Sequence, residues 1–470
     1  MYSISDHART SRVAYAKRKV FPIVSFLAVV VGGNYSSIGV AQASTCFVPP
    51  ETISVSCTSL FLFQNYSAVT VSSNVNISDA NFGAFQGDPA AYFDGKARVG
   101  TFVNNGTIAT YSYNNNTVDI YNGATVENFI NNGNILANRP LNINRFAIAI
   151  GGSVGTFDNS RTGLIQAQVS SPGILLTDNG SIQTLSNAGT ISVAGTAIVV
   201  GGTTRIGTIY NTGLIDAGIT ANYNKDAIYV APAASIGTIY NFGTIDHSGS
   251  VGGVDYTAIR NEGTINAIVN VGSLTRGHGA GGGYGIINTG QIGLLANGQT
   301  NLAYAGKLPT NYNTIIYNNT TYGALNVTNG SGVTQFGIYR GSTVVPTTYA
   351  NVLTGVTANN LAATSGIYGG GFLTTNWQLR NSSGNNWDLV TIQTAPVVPT
   401  VTGSQSGTSL ASQIAASYSA AASSAGGVTT SSASNPLLSS GVTVQPPCYV
   451  PVIWRFSKIV SGAGGRMRRA

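Results

Sequence analysis

Charged residues are scarce in this chain: 8% of its 470 positions are Asp, Glu, Lys or Arg. That is about a third of the roughly 25% typical of soluble domains, which argues against an ordinary cytosolic enzyme. Cysteine is nearly missing as well, with only Cys46, Cys57 and Cys448 and no Cys-x-x-Cys pair. The histidines are His7, His247 and His278. A zinc site does not assemble from such a set, and no metal or cofactor is expected. Long apolar runs are lacking too. The stretch Val20–Val31 has 12 residues, short of the ~20 that cross a bilayer as a helix, and no later segment is longer.

The charges that exist sit at the ends. A formal net charge of +7 would by itself suggest nucleic acid or an anionic membrane as partner. Arg9, Arg12, Lys17, Arg18 and Lys19 fall within residues 1–43 beside one acid, Asp6. Arg455, Lys458, Arg466, Arg468 and Arg469 fall in the last 16 residues with no acid at all. Removing these ten bases and one acid from totals of 22 and 15 leaves 12 and 14 for residues 44–454, a body of about −2. It presents no basic face, and nucleic acid is not expected as a partner.

Residues 1–43 read as a signal peptide for the export machinery: a basic segment to Lys19, the apolar stretch, then Ala41-Gln-Ala43. Small residues at those positions place cleavage between Ala43 and Ser44; a retained membrane anchor is the alternative. Cys46 and Cys57 then fall just inside the mature N-terminus. In an oxidising compartment they can close a small loop, or remain two unpaired small residues.

What the chain has in quantity is glycine, 59 residues, arranged in a repeat. Seven segments share the pattern apolar-x-Asn-x-Gly-x-Ile: Phe102 to Ile108, Phe129 to Ile135, Leu185 to Ile191, Ile209 to Ile215, Ile239 to Ile245, Ile259 to Ile265 and Ile286 to Ile292. An eighth, Phe157 to Ile165, carries two extra residues in the turn. The glycines step by 27, 30, 26, 24, 30, 20 and 27. Val99, Val126, Val154, Ile182, Ile206 and Ile236 each precede the apolar position by three residues, and runs such as Ala227-Ile-Tyr-Val230 lie further upstream.

Three short β-branched strands per repeat, with no helical periodicity, cannot bury an apolar face alone. Coiling the chain so that each strand lies parallel to its equivalent solves this, with a spacing of about 4.8 Å. The expected fold is all-β, a right-handed parallel β-helix (β-solenoid), with Ile108, Ile135, Ile165, Ile191, Ile215, Ile245, Ile265 and Ile292 in one inward column. Positive φ at the glycine and an asparagine amide bonded to the next coil are the expected features of the corner.

A long signal followed by such coils resembles the passenger of bacterial autotransporters (type V secretion). Gly337 to Ser342, Tyr368 to Gly371, Trp377-Gln-Leu379 and Asn386-Trp-Asp-Leu389 are similar to the region that caps the distal end of such passengers. The resemblance covers about residues 1–445 and implies a surface-displayed structural or adhesive protein. It divides the chain into 1–43 signal, 44–98 N-terminal cap and first coils, 99–322 β-helix repeats, 323–394 C-terminal capping region, 395–445 Ser/Ala/Gly/Thr-rich linker and 446–470 basic tail. The family's outer-membrane barrel, which needs many ten-residue alternating segments, is not found in the last 25 residues. The expected location is therefore exported: the cell surface or extracellular space as in intact relatives, with the periplasm as the alternative for this chain, and host surfaces or self-association as the candidate partners.

Two outward features are candidates for chemistry. Asp216 and Asp246 share a register, with His247 on the opposite face of the strand; paired carboxylates would suit a polysaccharide lyase or hydrolase. Their neighbours Ser192 and Gln166 and the lack of a basic cluster instead suit two solvated turn residues. Tyr210 and Tyr240 also share a register and can stack on sugar rings or partner side chains, or simply cover the rod. Gly277-His-Gly-Ala-Gly-Gly-Gly283 lacks the Lys-Ser/Thr ending of a phosphate loop and suits an insertion loop. No catalytic residue is assigned.

The missing barrel and the composition change near Pro446 point to a broken reading frame, with a genuine basic tail touching an anionic surface as the other account. Translating the downstream DNA in its other two frames is expected to yield alternating barrel strands. Finding none would defeat the idea.

Overall fold

The computed structural model describes residues 46–47, 52–79, 89–111, 115–138, 146–168, 171–218, 226–249, 256–276, 283–369 and 374–394. The chain divides into two units, 1–398 and 399–470, and all described residues belong to the first. The signal, its cleavage site at Ala43 and Ser44, Cys448, His278, the linker and the tail lie outside them.

The described chain is a parallel β-solenoid. Through Ser273–Arg276 each coil visits three sheets, which have 16, 12 and 8 strands in all. One coil serves as the type: Ile198–Val200 in the first sheet, Arg205–Asn211 in the second, Leu214–Ala217 in the third. Alternation decides what faces in. In Arg205–Asn211 the residues Ile206, Ile209 and Asn211 are buried while Arg205 and Tyr210 are exposed. Equivalent residues stack from coil to coil: Val99, Val126, Val154, Ile182, Ile206 and Ile236 form one inward column of the second sheet. Phe129 lies over Phe157 with centroids 4.8 Å apart and planes 7° from parallel, the spacing of hydrogen-bonded strands.

Asparagine ends every second-sheet strand of the repeat region, and it is fully buried. Asn104, Asn131, Asn159, Asn187, Asn211, Asn241, Asn270 and Asn297 all show no exposure. Each Nδ2 donates to the Oδ1 of the next, at 2.8–3.1 Å. A second bond from Nδ2 reaches a backbone carbonyl of the following coil, as from Asn187 to Leu214 O at 3.1 Å. The desolvation of eight amides is thereby offset bond for bond.

The corner glycines have a different reason from the expected one. None of Gly106, Gly133, Gly163, Gly189, Gly213 or Gly243 has positive φ. A Cβ on Gly133, Gly189, Gly213 or Gly243 would instead run into the carbonyl oxygen of the corner glycine one coil before. Glycine is needed because corners stack at strand spacing, not because the turn is left-handed.

The inward isoleucine column also needs correction. Ile108, Ile135, Ile165, Ile191, Ile215 and Ile245 stack in the third sheet, but Leu274 follows them. Ile265 and Ile292 stack on Ile236 in the second sheet. The motifs at Asn261 and Asn288 therefore sit at the other corner, between first and second sheets. They start a second asparagine column there, at 2.8 Å, where the preceding coil has Val230. The Oδ1 of Asn261, with valine below it, accepts no hydrogen bond. The step of 20 between Gly243 and Gly263 measures a change of corner; along the true ladder Asn241 to Asn270 is 29 residues.

Coil length varies mainly between third and first sheets, from the four residues 194–197 to the eleven residues 80–90. The third sheet stops at Ser273–Arg276. There the side-chain amide of Gln299 does what a next strand would do: Oε1 accepts from Leu274 N at 2.8 Å and Nε2 donates to Leu274 O at 3.2 Å. Parallel stacking runs on past 322, through Gln335–Ile338 and into Thr348–Thr354. The cap proper is antiparallel, Asn386–Thr394 pairing with Thr348–Thr354 and Thr374–Ser383, and the latter with Ser365–Tyr368. Trp377 closes the core edge-on to Phe336, centroids 5.3 Å apart, and Trp387 Nε1 donates to Val356 O at 2.6 Å. At the other end Cys46 and Cys57 form a disulfide, one of the two alternatives read from the sequence.

The corrected register carries a test. Asn270→Ala is expected to destabilise the protein as much as Asn241→Ala, about 2–4 kcal/mol, because each strands a buried amide on either side. Asn266→Ala, at an exposed position of the neighbouring motif, should stay within about 0.5 kcal/mol. Denaturant titration of the three variants measures this, and equal costs for Asn266 and Asn270 would contradict the ladder.

Candidate functional site

Stacking that fixes the interior also lines the exterior with straight rows of side chains, and one row changes character along the axis. Next to the asparagine ladder, the outward position of the second sheet is Val103, Ile130, Asp158, Ser186, then Tyr210, Tyr240, Val269 and Ala296. Polar residues give way to rings, and the rings to aliphatic groups. Tyr210 and Tyr240 are on adjacent coils as expected, with centroids 6.3 Å apart and planes at 51°. Tyr210 is 42% exposed. Tyr240 is half-buried, packed against an apolar cluster of Val269, Ala296 and Ile315 that lies outside the core.

Phe242 completes this strip and was not singled out in the sequence. It is the variable residue of Asn241-Phe-Gly243, two positions after Tyr240, with Asn241 turned inward between them. Its ring lies 5.3 Å from that of Tyr210 and it is 45% exposed. Alternation would have found it: once Asn241 is inward, both neighbours must face out.

The carboxylates are also in the expected register, Asp216 beside Asp246 in the third sheet. Their surroundings differ. Asp216 is buried to 9% exposure and accepts from Ser248 twice, from the backbone N at 3.2 Å and from Oγ at 2.9 Å. Asp246 accepts from Thr275 Oγ1 at 2.8 Å. Burial pushes the Asp216 carboxyl up to about 6; the Ser248 hydroxyl opposes that shift and the negative charge of Asp246 adds to it. His247 turns inward as expected and is fully buried, its ring 5.7 Å from that of Tyr256, with Gly218 and Gly249 close around it. It lies on the other face from both carboxylates.

A third grouping was missed. Arg260 Nε meets Asp226 Oδ2 at 2.8 Å, and Tyr229 Oη donates to Glu262 Oε2 at 2.8 Å. Burial raises the Tyr229 phenol, and the hydrogen bond to Glu262 and its charge raise it further. Arg260 and Glu262 are the variable residues of Ile259-Arg-Asn-Glu-Gly263, and Tyr229 pairs with Arg260 in the first sheet. Reading that motif into the wrong column hid the contact. The knot ties four charged or titratable groups to one another on the outer face, where they lock adjacent coils.

Among the described residues no group of His, Cys, Asp and Glu could hold a metal ion, and no helix is long and apolar enough to cross a membrane. No family model, curated protein or solved structure matches the chain.

Asp216 yields a prediction. Its folded pKa lies above the unfolded carboxylate value of about 3.9, so the folded state binds the proton more tightly. The contribution of Asp216 to stability is then greatest below pH ~4, falls as pH rises towards about 6, and is level above that. Asp216→Asn keeps acceptors and donors for Ser248 and removes the charge. It should raise stability at pH 7 by about 1–2 kcal/mol and flatten the profile between these values. Denaturant melts at pH 4 and 7 measure it; an unchanged slope would show that Asp216 titrates normally.

Proposed function

We propose that the chain is an exported, autotransporter-like passenger that serves as a structural and adhesive rod, with Tyr210, Tyr240 and Phe242 as its contact surface. One observation carries this reading. Tyr210, Tyr240 and Phe242 form a continuous aromatic strip on the outer face of adjacent coils, with Tyr210 and Phe242 more than two-fifths exposed. Exposed apolar patches on a regular scaffold mark interaction surfaces. The N-terminal disulfide supports residence in an oxidising compartment, as export through residues 1–43 requires. The Trp377 and Trp387 closure supports the capping role of residues 323–394.

A second reading rests on Asp216 and Asp246. A carboxyl held near 6 beside a second one on the next strand is the raw material of acid/base chemistry on polysaccharides. The burial of Asp216 and its two bonds from Ser248 favour a structural role, and the first reading is preferred.

Adhesion tests the choice. The chain should be retained on surfaces coated with extracellular matrix, and Tyr210→Ala with Phe242→Ala should reduce retention about tenfold. Retention equal to that of an inert protein would leave only a spacer. Depolymerisation of acidic polysaccharides that disappears in Asp216→Asn and Asp246→Asn would overturn the preference in favour of an enzyme.

A further inference from the structure

We infer that the Tyr210–Phe242 strip, together with the threonine row beside it, binds an uncharged polysaccharide laid along the solenoid axis. This rests on the contact-surface reading above and narrows it to one ligand chemistry.

Strand alternation builds a grid here. In Arg205–Asn211, Ile209 is buried, so Thr208 and Tyr210 both face out; in Ser235–Asn241, Ile239 is buried and Thr238 and Tyr240 do the same. Thr208 stacks on Thr238 and Tyr210 on Tyr240. A row of hydroxyls therefore runs parallel to a row of rings at the coil spacing of about 4.8 Å. On the far side of the threonines stand Gly207 and Gly237, which offer no side chain. A Cβ on Gly237 would strike the backbone oxygen of Gly207, so the stacking itself keeps this shelf open. The result is a shallow trough with hydroxyls on its floor and Tyr210 and Phe242 on one wall.

Sugar rings need those two chemistries together. Their C–H faces pack on aromatic rings, and their hydroxyls require donors and acceptors close by. The hydroxyls of Thr208 and Thr238 form no hydrogen bond with the described protein, so they remain available. An apolar protein segment would bury them without partners, a cost of about 1–3 kcal/mol each. Charge decides the class of glycan. From Gly207 to Tyr210 and from Gly237 to Phe242 there is no ionisable acid or base; Arg205 stands at the near end with Ser235 as its coil neighbour. An acidic polysaccharide or a nucleic acid is held through several cations, and this trough has none along its length. The coil repeat is of the order of one pyranose ring, so a linear polymer can place successive sugars over successive coils.

Affinity electrophoresis of the full chain tests this, in gels containing hydroxyethylcellulose, xyloglucan, laminarin or dextran, and in parallel polygalacturonate or alginate. At least one neutral polymer should retard the protein and the acidic ones should not. Tyr210→Ala with Phe242→Ala should weaken retardation about tenfold or more, with the thermal melt unchanged. Thr208→Val should weaken it several-fold while preserving shape. Absence of retardation by every neutral polymer overturns the proposal, as does retardation that the double variant leaves intact or that only acidic polymers cause. Matrix retention that depends on Tyr210 and Phe242 without any glycan binding would remove the polysaccharide and keep the contact surface. Loss of both would remove the surface as well.

Discussion

The buried asparagine ladder is the constraint on which the rest of this structure depends. An amide desolvated at the corner of a coil has one stable arrangement, with its Nδ2 on the next Oδ1 at 2.8–3.1 Å. Slipping a coil by one residue would put that amide outside and an exposed residue such as Tyr210 inside. Register is therefore enforced by polar satisfaction, and the isoleucine and phenylalanine columns fall into place around it. The same close stacking excludes a Cβ at the corner glycines. Asparagine and glycine thus answer one geometric demand, the approach of successive corners at strand spacing.

With the corners fixed, the exterior is free to differ from coil to coil, and it does so in blocks. The outward row beside the ladder runs from Val103 and Ile130 through the polar Asp158 and Ser186 to the rings of Tyr210 and Tyr240 and then Val269 and Ala296. Beside the first sheet Arg260 pairs with Asp226 and Tyr229 with Glu262, bringing three charges and a phenol together across adjacent coils. On the third sheet burial raises the Asp216 carboxyl to about 6, against the hydrogen bonds it accepts from Ser248. One scaffold thereby offers three kinds of surface on three sheets.

Much of this was legible in the sequence, because a repeat repeats its physical meaning. Parallel stacking, the shared registers of Tyr210 with Tyr240 and of Asp216 with Asp246, and the inward turn of His247 all follow from counting residues from the asparagine. The failures share a cause. Ile259-Arg-Asn261-Glu-Gly263-Thr-Ile265 fits the motif perfectly but stands at the other corner, while Ile268-Val-Asn270-Val-Gly272-Ser-Leu274 stands in the ladder and ends in leucine. A pattern of seven residues records a local turn, and both corners make the same turn. Which corner a motif occupies is decided by the strands that precede it, so the Tyr229–Arg260 contact could not be read locally. Positive φ at the glycines was inferred from a habit of isolated turns, whereas here the neighbouring coil sets the requirement.

Coil length changes mainly where the third sheet hands over to the first, from four residues at 194–197 to eleven at 80–90. Because that handover lies at a different corner from both asparagine columns, additions there are mechanically uncoupled from the pitch of the rod. The scaffold thus has one seam at which as many as eleven residues are accommodated and two at which the linkers stay between two and four residues. Diversification along that seam leaves the ringed face and its hydroxyl row in place, so the molecule can alter one edge while keeping the grip of another.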